Sequence, residues 1–399
     1  MTQPSLQRRQ WMALSGSGLA GLSVTPGAVQ AATLPTRPRL KLGVLVPQSA
    51  RDSQLGDDYL KGLQQGLSTT TPDQTEPEWS VQTMGPSRGS MVRAMDSLLR
   101  EQPRLDLVVG WIGLPGARHL RPALTQARIP LLASDLGTQR AHADDAHPWI
   151  AYHTLGYWQS CARLGQLVAQ AGCRRAVICQ GFHEAGYGFV AEFKRHFEAA
   201  GGRVLGQHIS GLPQNKDEFE GLMPVLKQSR PDVVVAFYSG RQAKRFRQVY
   251  GQSDAAQQAQ FAGPALGGDL GTDLKTPSIA LAPWTWVSSG SPHPADANLL
   301  QRNSPGLALG LAAGARIASA LQHPDWPQHH QRPQLLALAR SSTAAADAAK
   351  TGDHRLWLTR SDRQGLLTCT PSSGLPRALH DPGQRPGSRS GWTNTYLIT

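Results

Sequence analysis

From Leu40 onward, short apolar runs alternate with stretches whose apolar residues recur at helical spacing. Leu40–Val46 reads as a buried strand, and Tyr59, Leu60, Leu63 and Leu67 then fall at i, i+1, i+4 and i+8, one face of a helix. Glu78–Thr83 is a second candidate strand, and Met91, Met95, Leu98 and Leu99 mark a second helix. Leu105–Gly110, Gly116–Gln126 and Ile129–Ala133 continue as strand, helix and strand. Sustained alternation of this kind predicts a parallel sheet with helices on both faces.

A polar connector, Arg140–Pro148, interrupts the pattern, which then restarts. Tyr157–Ala171 reads as helix and Arg175–Gln180 as strand. Phe189, Phe193 and Phe197 lie on one face of a helix that stops at Gly201-Gly202. Val204–His208 (strand), Phe219–Gln228 (helix), Asp232–Tyr238 (strand) and Gln242–Tyr250 (helix) follow. Residues 278–290, with Trp284 and Trp286, supply a further strand, and Leu307–Leu321 a helix rich in Ala and Leu. The Pro-, Gly-, Arg- and Ser-rich stretch 373–392 reads as loop. The fold class is therefore α/β, with the architecture of the first half repeated in the second.

Before the first strand, Arg8-Arg9 precedes a weakly apolar stretch from Trp11 to Val24, and small residues follow up to Ala31. This is the pattern of a twin-arginine export signal over 1–31, with cleavage after Ala31. The apolar run is shorter than the roughly 20 residues a membrane span needs. The first cysteine is Cys161, so lipid attachment at the new end is not expected. A periplasmic protein, soluble after cleavage, is expected.

Of 399 residues, about 370 remain after that cleavage, more than one core usually holds, so two lobes are expected. The formal charge is +12. Its arginines and lysines are scattered over separate helices and turns without interleaved aromatic residues, so no nucleic-acid partner is expected. Cys161, Cys173, Cys179 and Cys369 have no C-x-x-C spacing, and buried thiols and one disulfide both remain open.

Leu40–Leu67, the Leu105–Ala133 unit running on into Ser134, the turn Ala185-Gly186-Tyr187-Gly188 and the strand Arg230-Pro231-Asp232-Val233-Val234-Val235 together resemble type I periplasmic binding proteins. The similar group is the leucine/isoleucine/valine- and amide-binding receptors of ABC importers, over residues 39–330. The resemblance implies two doubly wound lobes joined by a three-segment hinge, with ligand in the cleft beyond the strands' carboxyl ends. It assigns 39–149 plus about 280–335 to the first lobe and 150–279 plus about 336–399 to the second. It also implies a small organic solute, amino-acid-like, amide or carboxylate, and an inner-membrane ABC permease as partner. A monomer with no cofactor and no catalysis is expected.

Carried onto this chain, the first-lobe contacts are Gln48 and Ser49 after the first strand, Trp111, Ile112 and Gly113 after the next, and Ala133 and Ser134. Backbone N–H groups at helix N-termini suit anionic ligand groups. Ser134 matches a family hydroxyl, with a turn cap as its other reading. The Trp111 stretch lacks the family's Ser or Thr, and Trp111 can stack on a planar ligand or simply pack. In the second lobe the resemblance implies Tyr187, opposite Ser134 across the cleft; Arg241 and Gln242, just after Tyr238-Ser239-Gly240, are read as candidates to hold an anionic or amide group, with Tyr238 beside them. The family's ammonium-binding Glu is replaced by Ala265 after Gly263-Pro264, with Asp269 read either as a substitute or as the cap of a turn. An ammonium desolvated without a carboxylate costs several kcal/mol, on the order of that for any unpaired polar group, which disfavours a plain aliphatic amino acid.

His142, Asp144, Asp145 and His147 are metal-ligand types, but solvated linkers have the same composition, and no metal is expected. The group His323, His329 and His330 is read likewise. No G-x-S-x-G, P-loop or G-x-G-x-x-G occupies a strand–helix junction, so a hydrolase lacks a motif to carry it. A sensor feeding a signalling partner closes its lobes as an importer's receptor does, and the sequence leaves both open.

Overall fold

The computed structural model describes residues 39–50, 52–68, 77–139, 141, 143–263, 284–289, 304–321, 356–361, 367–372 and 395–398. Residues from Arg39 to Thr399 form one compact unit. The signal segment 1–31, Asp269, the group His323, His329 and His330, and the stretch 373–392 lie outside the described residues.

The first sheet holds β1 (Lys41–Pro47), β2 (Glu78–Met84), β3 (Leu107–Trp111), β4 (Leu131–Asp135) and β5 (Ile150–Thr154), all parallel, in the order β2-β1-β3-β4-β5. Helices α1 (Leu55–Ser68), α2 (Arg88–Glu101) and α3 (Leu114–Ala127) provide its crossovers. After α4 (Tyr157–Gln170), a second sheet starts with β6 (Arg175–Gly181), β7 (Arg203–Ser210), β8 (Val233–Phe237) and β9 (Gln260–Ala262). It continues with β10 (Trp284–Ser289), β11 (Leu356–Ser361) and β12 (Leu367–Ser372), in the order β12-β11-β10-β9-β8-β6-β7. Its parallel part repeats the winding of the first sheet, and β11 and β12 extend it antiparallel. Among the described residues the remaining α-helices are α5 (Gly188–Ala199), α6 (Leu222–Ser229), α7 (Gly240–Gly251), α8 (Ala255–Gln258) and α9 (Pro305–Leu321).

Two sheet memberships differ from the expected lobe limits. β5 pairs with β4, so the first sheet runs to Thr154 and not to residue 149. β10 pairs with β9 and so belongs to the second sheet; of the described residues in the expected 280–335 return, those of α9 lie against the first sheet's α1.

The pleat sorts the cores. Leu42, Val44 and Val46 of β1 and Leu107, Val109 and Trp111 of β3 face α1 and α9, whereas Leu45 and Val108 face α2 and α3. In the second sheet Ala176, Ile178, Val233, Val235 and Phe237 face α4 and α5, and Val177, Cys179, Val234 and Ala236 face α6 and α7. Cys161, Cys173 and Cys179 are buried free thiols, and burial raises the pKa of each. Among the described residues no helix is long and apolar enough to cross a membrane.

The contact between α1 and α9 is backbone to backbone. Gly62 and Gly66 of α1 meet Leu307, Leu311 and Gly314 of α9, while Gly306, Gly310 and Gly314 of α9 meet the carbonyls of Leu55, Tyr59 and Leu63. A Cβ on Gly310 would collide with the Tyr59 carbonyl oxygen. Overpacking of this kind costs about 1–3 kcal/mol, and the helix propensity gained by Gly→Ala returns about 1 kcal/mol at most. Gly310→Ala is therefore expected to lower the thermal midpoint, while Gly89→Ala on the exposed start of α2 leaves it unchanged or raises it; equal midpoints for both variants would refute the close contact.

Candidate functional site

In a sheet wound 2-1-3-4-5, the chain leaves the carboxyl ends of the first and third strands in opposite directions, and a crevice opens between the two exits. In the first sheet this gap lies between the loops after β1 and β3, and in the second between those after β6 and β8. The short segment Thr395–Ile398 makes contact at both gaps.

At the first gap, Ser49 Oγ donates to the Leu397 carbonyl oxygen at 2.5 Å, and Gly113 N–H donates to Thr395 Oγ1 at 3.0 Å. Gly113 is the N-cap of α3, so its N–H, which has no acceptor within the helix, belongs to the positive end of that helix. Asp135, at the end of β4, accepts from Gly137 N–H at 2.7 Å, and its other oxygen lies close to Gly113. Burial raises the Asp135 pKa to about 7, with the Gly137 bond opposing the shift.

At the second gap, Glu184 is 1% exposed. Its Oε1 accepts from Ser239 Oγ at 2.6 Å and from the Tyr396 hydroxyl at 3.1 Å. The Tyr396 ring stacks on His183 at 5.3 Å and on Tyr157 at 6.1 Å, and it meets Tyr187 edge-on at 4.9 Å. Phe189 lies 5.5 Å away, tilted. Tyr396, Leu397 and Ile398 belong to the apolar cluster that also holds the β1 and β8 side chains. The Ile398 N–H bonds back to the Thr395 carbonyl, and Leu397 sits in the left-handed region at φ 70°, so the segment is a tight turn.

The sequence-predicted residues fall into three sets. Ser49, Gly113 and Tyr187 meet at the 395–398 segment. Trp111, Ile112, Ala133, Ser134 and Tyr238 lie in the core. Trp111 packs 5.9 Å from Tyr59, and the Ser134 hydroxyl neighbours the Tyr59 hydroxyl, whose pKa burial raises. Ile112 and Ala133 face α2 and α3. Tyr238 continues the even positions of β8 into the α6–α7 core, stacked on Phe246 at 4.4 Å and hydrogen-bonded to Ser210 at 2.8 Å. Gln48 and Arg241 form the third set, both exposed; the Gln48 N–H is held by the Met84 carbonyl, and Gln242 lies near Gly181 and Glu184.

Sequence reasoning passed over Asp135, His183, Glu184, Tyr157 and the 395–398 segment. Signals existed for some of them. Asp135-Leu136-Gly137 is an Asx-turn pattern directly after Ser134, and Glu184 precedes Tyr187 in the same turn. In the connector, Asp145 pairs with Arg118 at 2.6 Å and the Asp144 carbonyl accepts from Arg121, so these acids brace α3. Among the described residues no group of His, Cys, Asp and Glu is arranged to hold a metal. A solvent-open groove lined by Arg93, Asp96, Arg100 and Gln126 lies between the C-terminal halves of α2 and α3, at the opposite edge of the sheet.

The family model for periplasmic binding proteins matches residues 39–304, and the chain belongs to that family. It is similar in structure to an ABC transporter substrate-binding protein from Sphaerobacter thermophilus, with 18% identity and a TM-score of 0.65 over 85% of this chain and 98% of that one. A solute-binding protein of an ABC transporter from R. palustris, in complex with benzoate, is 17% identical with a TM-score of 0.62 over 85% and 98%. A leucine-binding protein from Thermotoga maritima is 14% identical with a TM-score of 0.57 over 84% and 99%. No curated protein matches the sequence.

The Asp135 carboxyl holds its proton more tightly folded, at about 7, than unfolded, near 3.9. Its contribution to stability is thus complete below about pH 4 and declines as the pH rises to about 7, by a few kcal/mol at most, since one pKa unit is about 1.4 kcal/mol. Asp135→Asn should abolish that decline. In denaturant titrations at pH 5 and pH 8 the variant is expected to gain on the wild type at the higher pH, and a constant difference at both would refute the assignment.

Proposed function

We propose that this chain captures a small organic solute in the crevice between its two sheets and hands it to an ABC permease in the inner membrane. It acts in the periplasm as a soluble monomer after removal of a twin-arginine signal, by binding and release without catalysis. The observation that carries this reading is the convergence of two strand-order reversals on one spot. Ser49 O–H and Gly113 N–H supply donors from one side, and Glu184 supplies an acceptor beside aromatic rings on the other. Receptors of this architecture close by swinging one lobe against the other. Thr154, Leu155 and Gly156, between β5 and α4, form one crossing; Gly156 is left-handed at φ 66°.

Of the structural relatives described above, one is in complex with benzoate and one is a leucine-binding protein, and the aromatic lining favours a planar solute over an aliphatic amino acid. The carboxylate that the ammonium of an amino acid needs has a candidate in Glu184, but Ser239 and a phenol hydroxyl already share the same oxygen.

A thermal-shift screen of amino acids, amides, benzoates, phenols and fatty acids is expected to find at least one solute that raises the melting temperature. At 100 times Kd such a solute stabilises by about 2.7 kcal/mol, a readily measured shift. Turnover of a substrate without any stabilising solute would overturn the reading.

A further inference from the structure

The segment that spans the crevice belongs to the chain itself. It engages polar groups at both strand-order reversals, and it does so with the functional groups of a ligand. A hydroxyl and a carbonyl oxygen accept from Gly113 and Ser49, and a phenol donates to Glu184. A buried carboxylate costs several kcal/mol of desolvation, on the order of that for any buried ion, unless donors surround it. Removing Tyr396 takes one donor from Glu184 and leaves four rings without the one they enclose.

We propose that Thr395–Ile398 is a tethered competitor at the solute site, and that the pocket filled by Tyr396 accepts a free para-substituted phenol when the segment withdraws. This rests on the reading of the crevice as the solute site. The shape of the pocket matches such a ligand. His183 and Tyr157 stack on the faces of the ring, Tyr187 meets it edge-on, and the acceptor lies at the hydroxyl end. Stacked and edge-to-face contacts of this kind favour an aromatic guest over an aliphatic one. A benzene ring without the hydroxyl leaves Glu184 short of a donor, which gives the pocket its preference for phenols. Being covalently attached, Tyr396 acts at an effective concentration on the order of mM, so a free phenol meets a site whose open fraction is small. Its apparent affinity is reduced by that fraction.

The test uses 4-methylphenol, the tyrosine side chain as a free molecule, and toluene, which lacks the hydroxyl. Both are titrated calorimetrically into the wild-type chain, a variant lacking residues 394–399, and Tyr396→Ala. At an open fraction of about one tenth or less, 4-methylphenol binds both variants at least tenfold more tightly than the wild type. Toluene gains less, and Glu184→Gln in the shortened chain removes the preference for the phenol. Should the shortened chain fail to fold, Tyr396→Phe keeps the ring, loses the Glu184 bond, and is expected to bind 4-methylphenol several-fold more tightly than the wild type. Equal affinity of 4-methylphenol for all forms overturns the proposal. If the shortened chain is stabilised by another solute of the thermal screen and not by phenols, the phenol pocket is wrong while solute capture stands. If no solute stabilises it, solute capture itself falls.

Discussion

The constraint on which this molecule depends is the reversal of winding in a parallel sheet. Parallel strands need crossovers through helices, and when the crossovers turn one way beyond β1 and the other way beyond β3, no backbone fills the gap at the carboxyl edge. The same arrangement at β6 and β8 creates a second gap. Polar groups at these edges, among them the first N–H of α3 and the Glu184 carboxyl, then need partners from beyond the strands they follow.

In this structure Thr395–Ile398 supplies several of them, beside Ser239 at Glu184. Its side chains join the apolar cluster shared by the two sheets, while its polar atoms satisfy Ser49, Gly113 and Glu184. The arrangement combines burial of three apolar side chains with hydrogen bonds to charged or helix-terminal groups, which are the stronger kind. An incoming solute has to offer a comparable set. On the proposed reading of the crevice, a ring with a hydroxyl at one end and an acceptor at the other meets that requirement better than a short aliphatic chain.

Much of this fold was legible in the sequence because buried parallel strands are continuous apolar runs and the helices carry one apolar face. β5, β9, β11 and β12 escaped notice. Ile150–Thr154 mixes Tyr, His and Thr at the edge of its sheet, and Gln260–Ala262 is too short to show a period. The site was less legible for a geometric reason. Ser134 and Tyr238 have suitable side chains at suitable strand ends, but the pleat turns Ser134 toward Tyr59 and Tyr238 toward Phe246. Ser49, Gly113 and Tyr187 lie in loops or at a helix cap, where family resemblance is the better guide. Tyr396-Leu397-Ile398, an apolar triplet after a Pro- and Gly-rich run, has no periodicity, so its burial shows only in three dimensions.

The start of α4 ties the crevice to the joint between the lobes. Tyr157 N–H donates to the Leu136 carbonyl and Trp158 N–H to the Gly137 carbonyl, each at 2.9 Å, so a helix that packs on α5 is pinned at its tip to the end of β4. Asp135 holds that tip through Gly137 and also borders Gly113. Any displacement of α4 relative to the first sheet must therefore either break these bonds or carry the 135–137 turn with it, and Asp135 is the side chain that keeps this turn in shape.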